Sequence, residues 1–308
     1  MNLSAPEAVS EERARSEVAF SGVALVFRGQ MRGRRFGRAL LGASALVLLL
    51  FALAAGVLSR FFGEFTVYDG NNVRFLSNWA TTEMILAALV IPAVGAVLGA
   101  GAVPVSAERE AIQATLLTRL TAWDIATGRL LAALSMPIGV LGVSSAVGLA
   151  AERSFRIVPG RAGGLGAIVA VHTVLLAALL MSGAVAFLFA LRSRPGRSWE
   201  RGTLFSLSLS IICVFALFTL NGPIRRMENP RPLIEAALLI NPVVGVCSAL
   251  NKDILRVPWI YSRTEAPEYA FEYPPSSATA GVLTLMALAA QIASSIRLRR
   301  SYLSKKES

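Results

Sequence analysis

Long apolar stretches alternate with short polar stretches along most of the chain. Each of these stretches lacks Lys, Arg, Asp and Glu and approaches or exceeds the roughly 20 residues that a helix needs to cross a bilayer. The pattern therefore predicts an all-α, polytopic membrane protein with six transmembrane helices. The predicted spans are about 39–59, 84–105, 130–151, 165–191, 203–220 and 276–296.

A charged, amphipathic stretch at 108–131 separates the second and third spans. Its large apolar residues recur at the spacing of one helical face. Glu108 and Glu110 follow Ser106, where a hydroxyl can cap free N–H groups and negative charge meets the positive end of a helix dipole. We therefore predict a short surface helix. Its apolar face is predicted to contain Ile112, Leu116, Leu117, Leu120 and Trp123.

Thr121 and Asp124 have the spacing of a capping box. A second helix is therefore predicted to start at Ala122 and to run into the third span. On geometry alone, the surface helix before it fits two interpretations. It either binds a partner protein or lies among lipid headgroups.

The apolar stretch 233–250 contains Glu235 and the helix-breaking pair Asn241-Pro242. It is predicted to form a re-entrant segment on the outer side, before the last span. Aromatic residues follow it, and such clusters are usual at the headgroup level, so a membrane anchor is preferred over a substrate site. They are Trp259, Tyr261, Tyr269, Phe271 and Tyr273.

The N-terminal residues 1–17 are polar and are predicted to form a disordered cytoplasmic tail. Residues 18–308 are predicted to form a single membrane domain. Within it, residues 18–38 combine an apolar face with five Arg, which are interleaved with Gly29, Gly33 and Gly37. This composition fits an interfacial helix that leads into the first span, or a simpler positively charged anchor.

Composition and charge exclude a soluble domain. Of 308 residues, 55% are hydrophobic and only 16% are charged. The formal net charge is +11, but the basic residues lie beside apolar runs, which indicates lipid headgroups rather than nucleic acid. About nineteen of the 30 Lys and Arg lie in the N-terminal segment, 108–129, 192–201 and the C-terminal tail. The positive-inside rule therefore places both termini and the 108–129 loop in the cytoplasm.

No catalytic or cofactor constellation is evident. His172 is the single histidine and is expected to pack or hydrogen-bond inside the bundle. Cys213 and Cys247 lie in apolar runs without metal-ligand spacing. The glycine-rich stretch 160–166 lacks the Lys-Ser/Thr of a phosphate loop, so the chain is not expected to hydrolyse ATP itself.

Gly95 and Gly99 form a Gly-x-x-x-Gly pair inside the second span. Small residues at this spacing let helices approach closely. The pair predicts tight helix packing, either within the chain or between two copies.

The order of residues from 108 to 129 resembles the loop between the second and third spans of type-2 ABC transporter permeases, the export-type class. That family commonly shows an acidic-basic-acidic group, a Leu-Leu pair, Thr-Pro-Leu-Ser, Trp-Glu-Ile and Gly-Lys. Gln113, Arg119 and Arg129 depart from the pattern, standing for an acid, Pro and Lys. The matching positions are Glu108, Arg109, Glu110, Ile112, Leu116, Leu117, Thr118, Leu120, Thr121, Trp123, Asp124, Ile125 and Gly128.

In that family the loop is the coupling helix, which docks on a separate cytoplasmic ATP-binding subunit. The resemblance implies a permease in a bacterial inner membrane that dimerises with itself or a second permease and has no cofactor of its own, since the partner subunit binds ATP. A stand-alone ion-coupled transporter, an intramembrane enzyme and a non-transporting assembly factor are the alternatives. The implied partner-binding residues are Glu108, Glu110, Ile112, Leu116, Leu117, Leu120, Trp123, Asp124, Gly128 and Arg129.

Overall fold

The computed structural model describes residues 22–27, 72–104, 120–155, 164–192, 198–252, 264, 266–269 and 271–303, and these residues are helical or in short connections, with no strand among them. The predicted tail, the predicted span 39–59 and loop residues 105–119 lie outside this part of the chain. In order, the helices are α1 (22–27), α2 (Asn72–Gly101), α3 (Ala122–Phe155), α4 (Gly164–Arg192), α5 (Ser198–Val214), α6 (Ala216–Thr219), α7 (Asn221–Arg226), α8 (Arg231–Leu239), α9 (Pro242–Ala249) and α10 (Ser276–Leu303).

Among the residues that the structure describes, four helices are long and apolar enough to cross a membrane. They contain the stretches Met84–Gly101, Ala122–Ala150, Gly164–Arg192 and Ser276–Arg300. These stretches overlap four of the six spans predicted from the sequence. The described part of the chain is therefore a multi-pass helical membrane domain, as predicted.

The predicted span 203–220 differs from a single continuous helix. Helix α5 ends at Val214 after 17 residues, which is about 26 Å of helix, and the chain continues through Phe215 into α6 and α7. The hydropathy of the run did not predict this break. Hydropathy reports how apolar the side chains are, but it does not report the hydrogen bonds of the backbone.

Helix α4 forms the centre of the bundle. Its side chains are buried along most of its length, and α2, α3, α5, α9 and α10 pack around it. The large side chains of Ile168, Leu179 and Phe187 are fully buried there. Because the surrounding helices all contact α4, it sets their relative positions.

Glycines allow α2 to lie directly against α4. A Cβ at Gly99 would collide with the backbone oxygen of Gly183, and a Cβ at Gly95 would collide with the hydroxyl of Ser182. The Gly-x-x-x-Gly pair therefore packs within the chain, which is one of the two roles predicted from the sequence.

The two faces of α5 are arranged as expected for contact with lipid. The buried face carries Thr203, Ser206 and Ser210, and Ser206 Oγ donates a 2.7 Å hydrogen bond to the carbonyl of Ser182 in α4. The exposed face is apolar, the reverse of a helix on a water-soluble protein. Its large exposed side chains are Leu204, Phe205, Ile211 and Ile212.

Candidate functional site

One end of the bundle brings together helix ends that are far apart in sequence. Ala122 and Ile125 at the start of α3 form a buried cluster with Leu298 near the end of α10. Val26 of α1 and Leu191 at the end of α4 pack against this cluster. We call this region the basic end. Among the described residues it carries Arg129, Arg192, Arg201, Arg297, Arg299 and Arg300, but only two acids, Asp124 and Glu200.

The capping box predicted at the start of α3 is confirmed. Asp124 Oδ2 accepts hydrogen bonds from the backbone N–H of Thr121 (2.8 Å) and from its hydroxyl (2.7 Å). In return, Thr121 Oγ1 accepts a 3.2 Å hydrogen bond from the N–H of Asp124. Helix α3 begins at Ala122, as predicted, and continues without interruption into the membrane stretch. The chain direction is thus fixed where the loop enters the helix.

Arg129 connects α3 to the end of α2. Its side chain is only 8% exposed, and Nε donates a 2.8 Å hydrogen bond to the carbonyl of Ala102, just beyond the last residue of α2. The last carbonyls of a helix lack partners within the helix, and positive charge is favoured at this end of the dipole. The end of α2 and the second turn of α3 are therefore held next to each other.

Helix α1 packs against the start of α3. A Cβ at Gly128 would lie 2.8 Å from Val26 Cβ and 3.0 Å from the carbonyl of Val23. A Cβ at Gly22 would lie 2.9 Å from Leu120 Cδ2 and 3.0 Å from Asp124 Cγ. Gly128 is needed for this close approach, because its neighbours are a Cβ atom and a backbone oxygen of α1, whereas the Leu120 side chain near Gly22 could move aside. The interfacial helix predicted at 18–38 thus includes one turn, 22–27, that contacts the predicted coupling segment.

The predicted partner-binding residues fall into three groups. Asp124 (3% exposed), Gly128 and Arg129 are buried against other parts of the same chain. Leu120 and Trp123 are partly exposed. The remaining five lie outside the described residues: Glu108, Glu110, Ile112, Leu116 and Leu117.

The sequence did not predict the contacts of Arg129 and Gly128 within the chain. The acceptor for Arg129 lies 27 residues away, and the neighbours of Gly128 lie in α1. Helical periodicity reports which residues share a face, but it does not report which face of another helix covers them. The residue type at position 129 was the available signal, because an Arg side chain presents several N–H donors in a fixed fork.

At the opposite end of the bundle, the chain bends by 88° between α8 and α9. The bend falls at Ile240 and Asn241, directly before Pro242, where the sequence predicted a break. Arg231 Nε donates a 2.7 Å hydrogen bond to Glu235 in the exposed first turns of α8, outside the four spans. This bond lowers the pKa of the Glu235 carboxyl below its ordinary value. The apolar segment thus tolerates its acid because the acid is paired and reaches the surface.

His172 joins α4 to α3. Its Nδ1 lies 2.8 Å from the carbonyl of Ile168, and its Nε2 lies 3.1 Å from Ser144 Oγ. A carbonyl only accepts, so Nδ1 carries the proton that it donates to Ile168. The prediction that His172 forms hydrogen bonds is confirmed, but its bond to Ser144 lies at an exposed position of α3 and not in the interior of the bundle.

Three of the aromatic residues predicted to anchor the chain at the headgroups pack on the hydrophobic core. Tyr269, Phe271 and Tyr273 are partly buried against it, and the rings of Phe271 and Tyr273 meet edge to face at 5.6 Å. Trp259 and Tyr261 lie outside the described residues. These packed rings help to hold the connection between α9 and α10.

Comparisons with family models, with curated proteins and with solved structures give no match. Among the residues that the structure describes, no group of three or more His, Cys, Asp or Glu side chains is placed to hold a metal ion. The geometry of the basic end and the order of residues at 108–129 are therefore the basis for a functional proposal.

The cap at Thr121 and Asp124 is expected to contribute measurably to stability. Replacing Asp124 by Ala removes the acceptor for both Thr121 donors and should lower the free energy of unfolding by about 1 kcal/mol. Asp124→Asn keeps a cap oxygen and serves as the control. The melting midpoints of the purified proteins in detergent check this, and equal midpoints for Asp124→Ala and the unsubstituted protein would contradict it.

Proposed function

We propose that this chain is the transmembrane subunit of an export-class ABC transporter, driven by a separate cytoplasmic ATP-binding subunit. The observation that carries the proposal is the fixed arrangement of the two helices that flank the loop whose residues resemble a coupling helix. Arg129 ties the start of α3 to the end of α2, and the capping box fixes where α3 leaves the loop. A partner that pushes on this loop would act on both flanking helices at once.

The packing inside the membrane supports the same role. Helix α2 lies against α4 through Gly95 and Gly99, and α4 contacts the other long helices. A displacement of the loop would therefore move α2, α3 and α4 together, because close-packed interfaces transmit motion rather than absorb it. The ATP-binding subunit would supply the energy of ATP hydrolysis. This chain would transmit the motion through its helices and would form the translocation path.

The burial of individual residues indicates two roles, docking on the partner and positioning of the docking helix. Leu120 and Trp123, which are partly exposed, would contribute to docking together with the predicted apolar face at 112–117. Asp124, Gly128 and Arg129 are buried and would position the docking helix instead of touching the partner. Such a stiff amphipathic helix fits the groove-binding mode of recognition.

The distribution of charge supports a cytoplasmic location for the basic end. Described basic residues at this end outnumber the two described acids there, whereas the opposite end carries both signs in equal number. We propose six spans in a bacterial inner membrane, with 39–59 as the first and α5 with its lipid-suited apolar face as the fifth. The bent α8–α9 pair would be a re-entrant segment on the outer side, and two permease copies or paralogues would enclose the path.

The proposed orientation predicts a one-sided labelling pattern. A cysteine placed at Gln113, in a background with Cys213→Ala and Cys247→Ala, should react with an impermeant maleimide only after the cells are opened. A cysteine placed at Asn229, which is exposed at the opposite end, should react in intact cells. Labelling of the Gln113 position in intact cells would overturn the proposal, since a cytoplasmic ATPase could not reach that loop.

A further inference from the structure

Two interruptions of helical structure meet inside the half of the bundle that lies away from the basic end. The first is the end of α5 at Val214, about 26 Å along the helix from its start. The second is the bend between α8 and α9 at Ile240 and Asn241. Each interruption leaves backbone groups without their usual helical partners.

The Asn241 side chain forms hydrogen bonds with backbone groups at both interruptions. Its Oδ1 accepts hydrogen bonds from the N–H of Val243 (2.9 Å) and of Val244 (3.3 Å), which caps α9. Its Nδ2 donates a 2.9 Å hydrogen bond to the carbonyl of Val214. The side chain is 1% exposed, so water does not compete for these bonds. An unsatisfied backbone group is costly at this depth of a membrane protein.

The surroundings of α9 keep it in a tightly packed position. A Cβ at Gly245 would lie 2.8 Å from Thr279 Cγ2 in α10 and 3.1 Å from Val174 Cγ1 in α4. Ser248 Oγ donates a 2.8 Å hydrogen bond to the carbonyl of Pro274, just before α10. Helix α9 is thus held by packing on α4 and α10, and Asn241 adds a side-chain link to α5.

We propose that Asn241 is a positioning residue that joins α9 to the broken end of α5, so that the two open and close as one unit. The link is independent of any partner, but its role in transport rests on the proposed function. In that setting, movement of α5 during the transport cycle would carry the bent segment with it, and the outer end of the path would change shape together with α5.

Two native cysteines report on this link. Cys247 in α9 is fully buried, and Cys213 precedes Val214 in α5 and is also buried. In the unsubstituted protein, both thiols should be alkylated slowly, and their rates should rise together with temperature because one opening event exposes both. Mass spectrometry of the two peptides after maleimide treatment gives the two rates. Different temperature dependences would overturn the proposal without any substitution.

Substitutions separate the link to α5 from the cap of α9. Asn241→Ser keeps a cap oxygen but loses the donor to Val214, whereas Asn241→Ala loses both. Both variants should raise the alkylation rate of Cys247 by roughly tenfold, and the melting midpoint of Asn241→Ser should fall less than that of Asn241→Ala, which also loses the cap of α9. Ser210→Ala is the control, because it removes a buried hydroxyl bond that lies within α5 alone and should leave the rate unchanged.

The outcomes distinguish the two roles of Asn241. If Cys247 is alkylated at the same rate in Asn241→Ser as in the unsubstituted protein, and faster only in Asn241→Ala, then Asn241 acts as a helix cap alone and does not link α9 to α5. If Asn241→Ala does not accumulate, the comparison of Asn241→Ser with the unsubstituted protein decides. None of these measurements involves an ATP-binding subunit, so their failure would leave the proposed transporter role standing.

Discussion

Replacing Gly99 by Leu is expected to prevent α2 from packing on α4 and to destabilise the whole bundle. The first side-chain atom would already collide with the backbone oxygen of Gly183, and a backbone atom cannot move aside as a flexible side chain can. Overpacking of this kind costs about 3 kcal/mol or more when the neighbour is fixed. Because α4 contacts the other long helices, the loss should affect more than one interface.

The measurement is the yield of monodisperse protein in mild detergent, with the melting midpoint of what remains. Gly142→Leu is the matched control, since it is also a glycine inside an apolar helix, but a Cβ there meets nothing within 4 Å. Gly142→Leu should fold normally, whereas Gly99→Leu should give little or no folded protein. Equal yields and midpoints for the two variants would show that close packing of α2 on α4 at Gly99 is not needed for folding or stability.

Local signals in the sequence predicted much of the observed structure. Apolar runs located the four described spans, and the spacing of Thr121 and Asp124 located the start of α3. These features depend on residues close in sequence, where hydropathy, capping and backbone geometry act directly. The pair Asn241-Pro242 marked the break for the same reason.

Contacts between distant parts of the chain could not be predicted in this way. The acceptor of Arg129, the partner glycine of Gly99 and the carbonyl bound by Asn241 all depend on how helices pack. A sequence signal for Asn241 did exist, because Asn before Pro is a favourable start for a helix. The sequence analysis used the pair only to predict a break, and the pair contains no information about the break at the end of α5.

The proposed coupling role makes its sharpest prediction at Leu116 and Leu120. Helical spacing places both on the predicted apolar face, which would sit in a groove of the ATP-binding subunit. Replacing both by Asp would bury unpaired carboxylates in that groove at a cost of roughly 3 kcal/mol or more, which corresponds to at least a hundredfold weaker docking. Thr118 lies off this face, so Thr118→Ala should dock normally.

The position of Leu120 next to α1 affects the choice of variants. Leu120 Cδ2 lies close to Gly22 in α1, so Leu120→Asp would also disturb a contact within the chain. Leu116→Asp should therefore be measured alone as well as in the double variant. A helix that only rests among lipid headgroups would behave differently, because the same substitutions would lower the amount of permease in the membrane without a selective effect on any partner.

The most direct test is the amount of ATP-binding subunit that co-purifies with each permease from native membranes in mild detergent, together with the permease level in the membrane. The account predicts that the unsubstituted chain and Thr118→Ala bring an ATP-binding subunit with them. Leu116→Asp and the double variant should reach the membrane at normal levels but should lose most of the co-purifying ATP-binding subunit. If the unsubstituted chain carries no ATP-binding protein, or if the double variant at normal levels retains its full amount, the coupling role assigned to this loop is wrong.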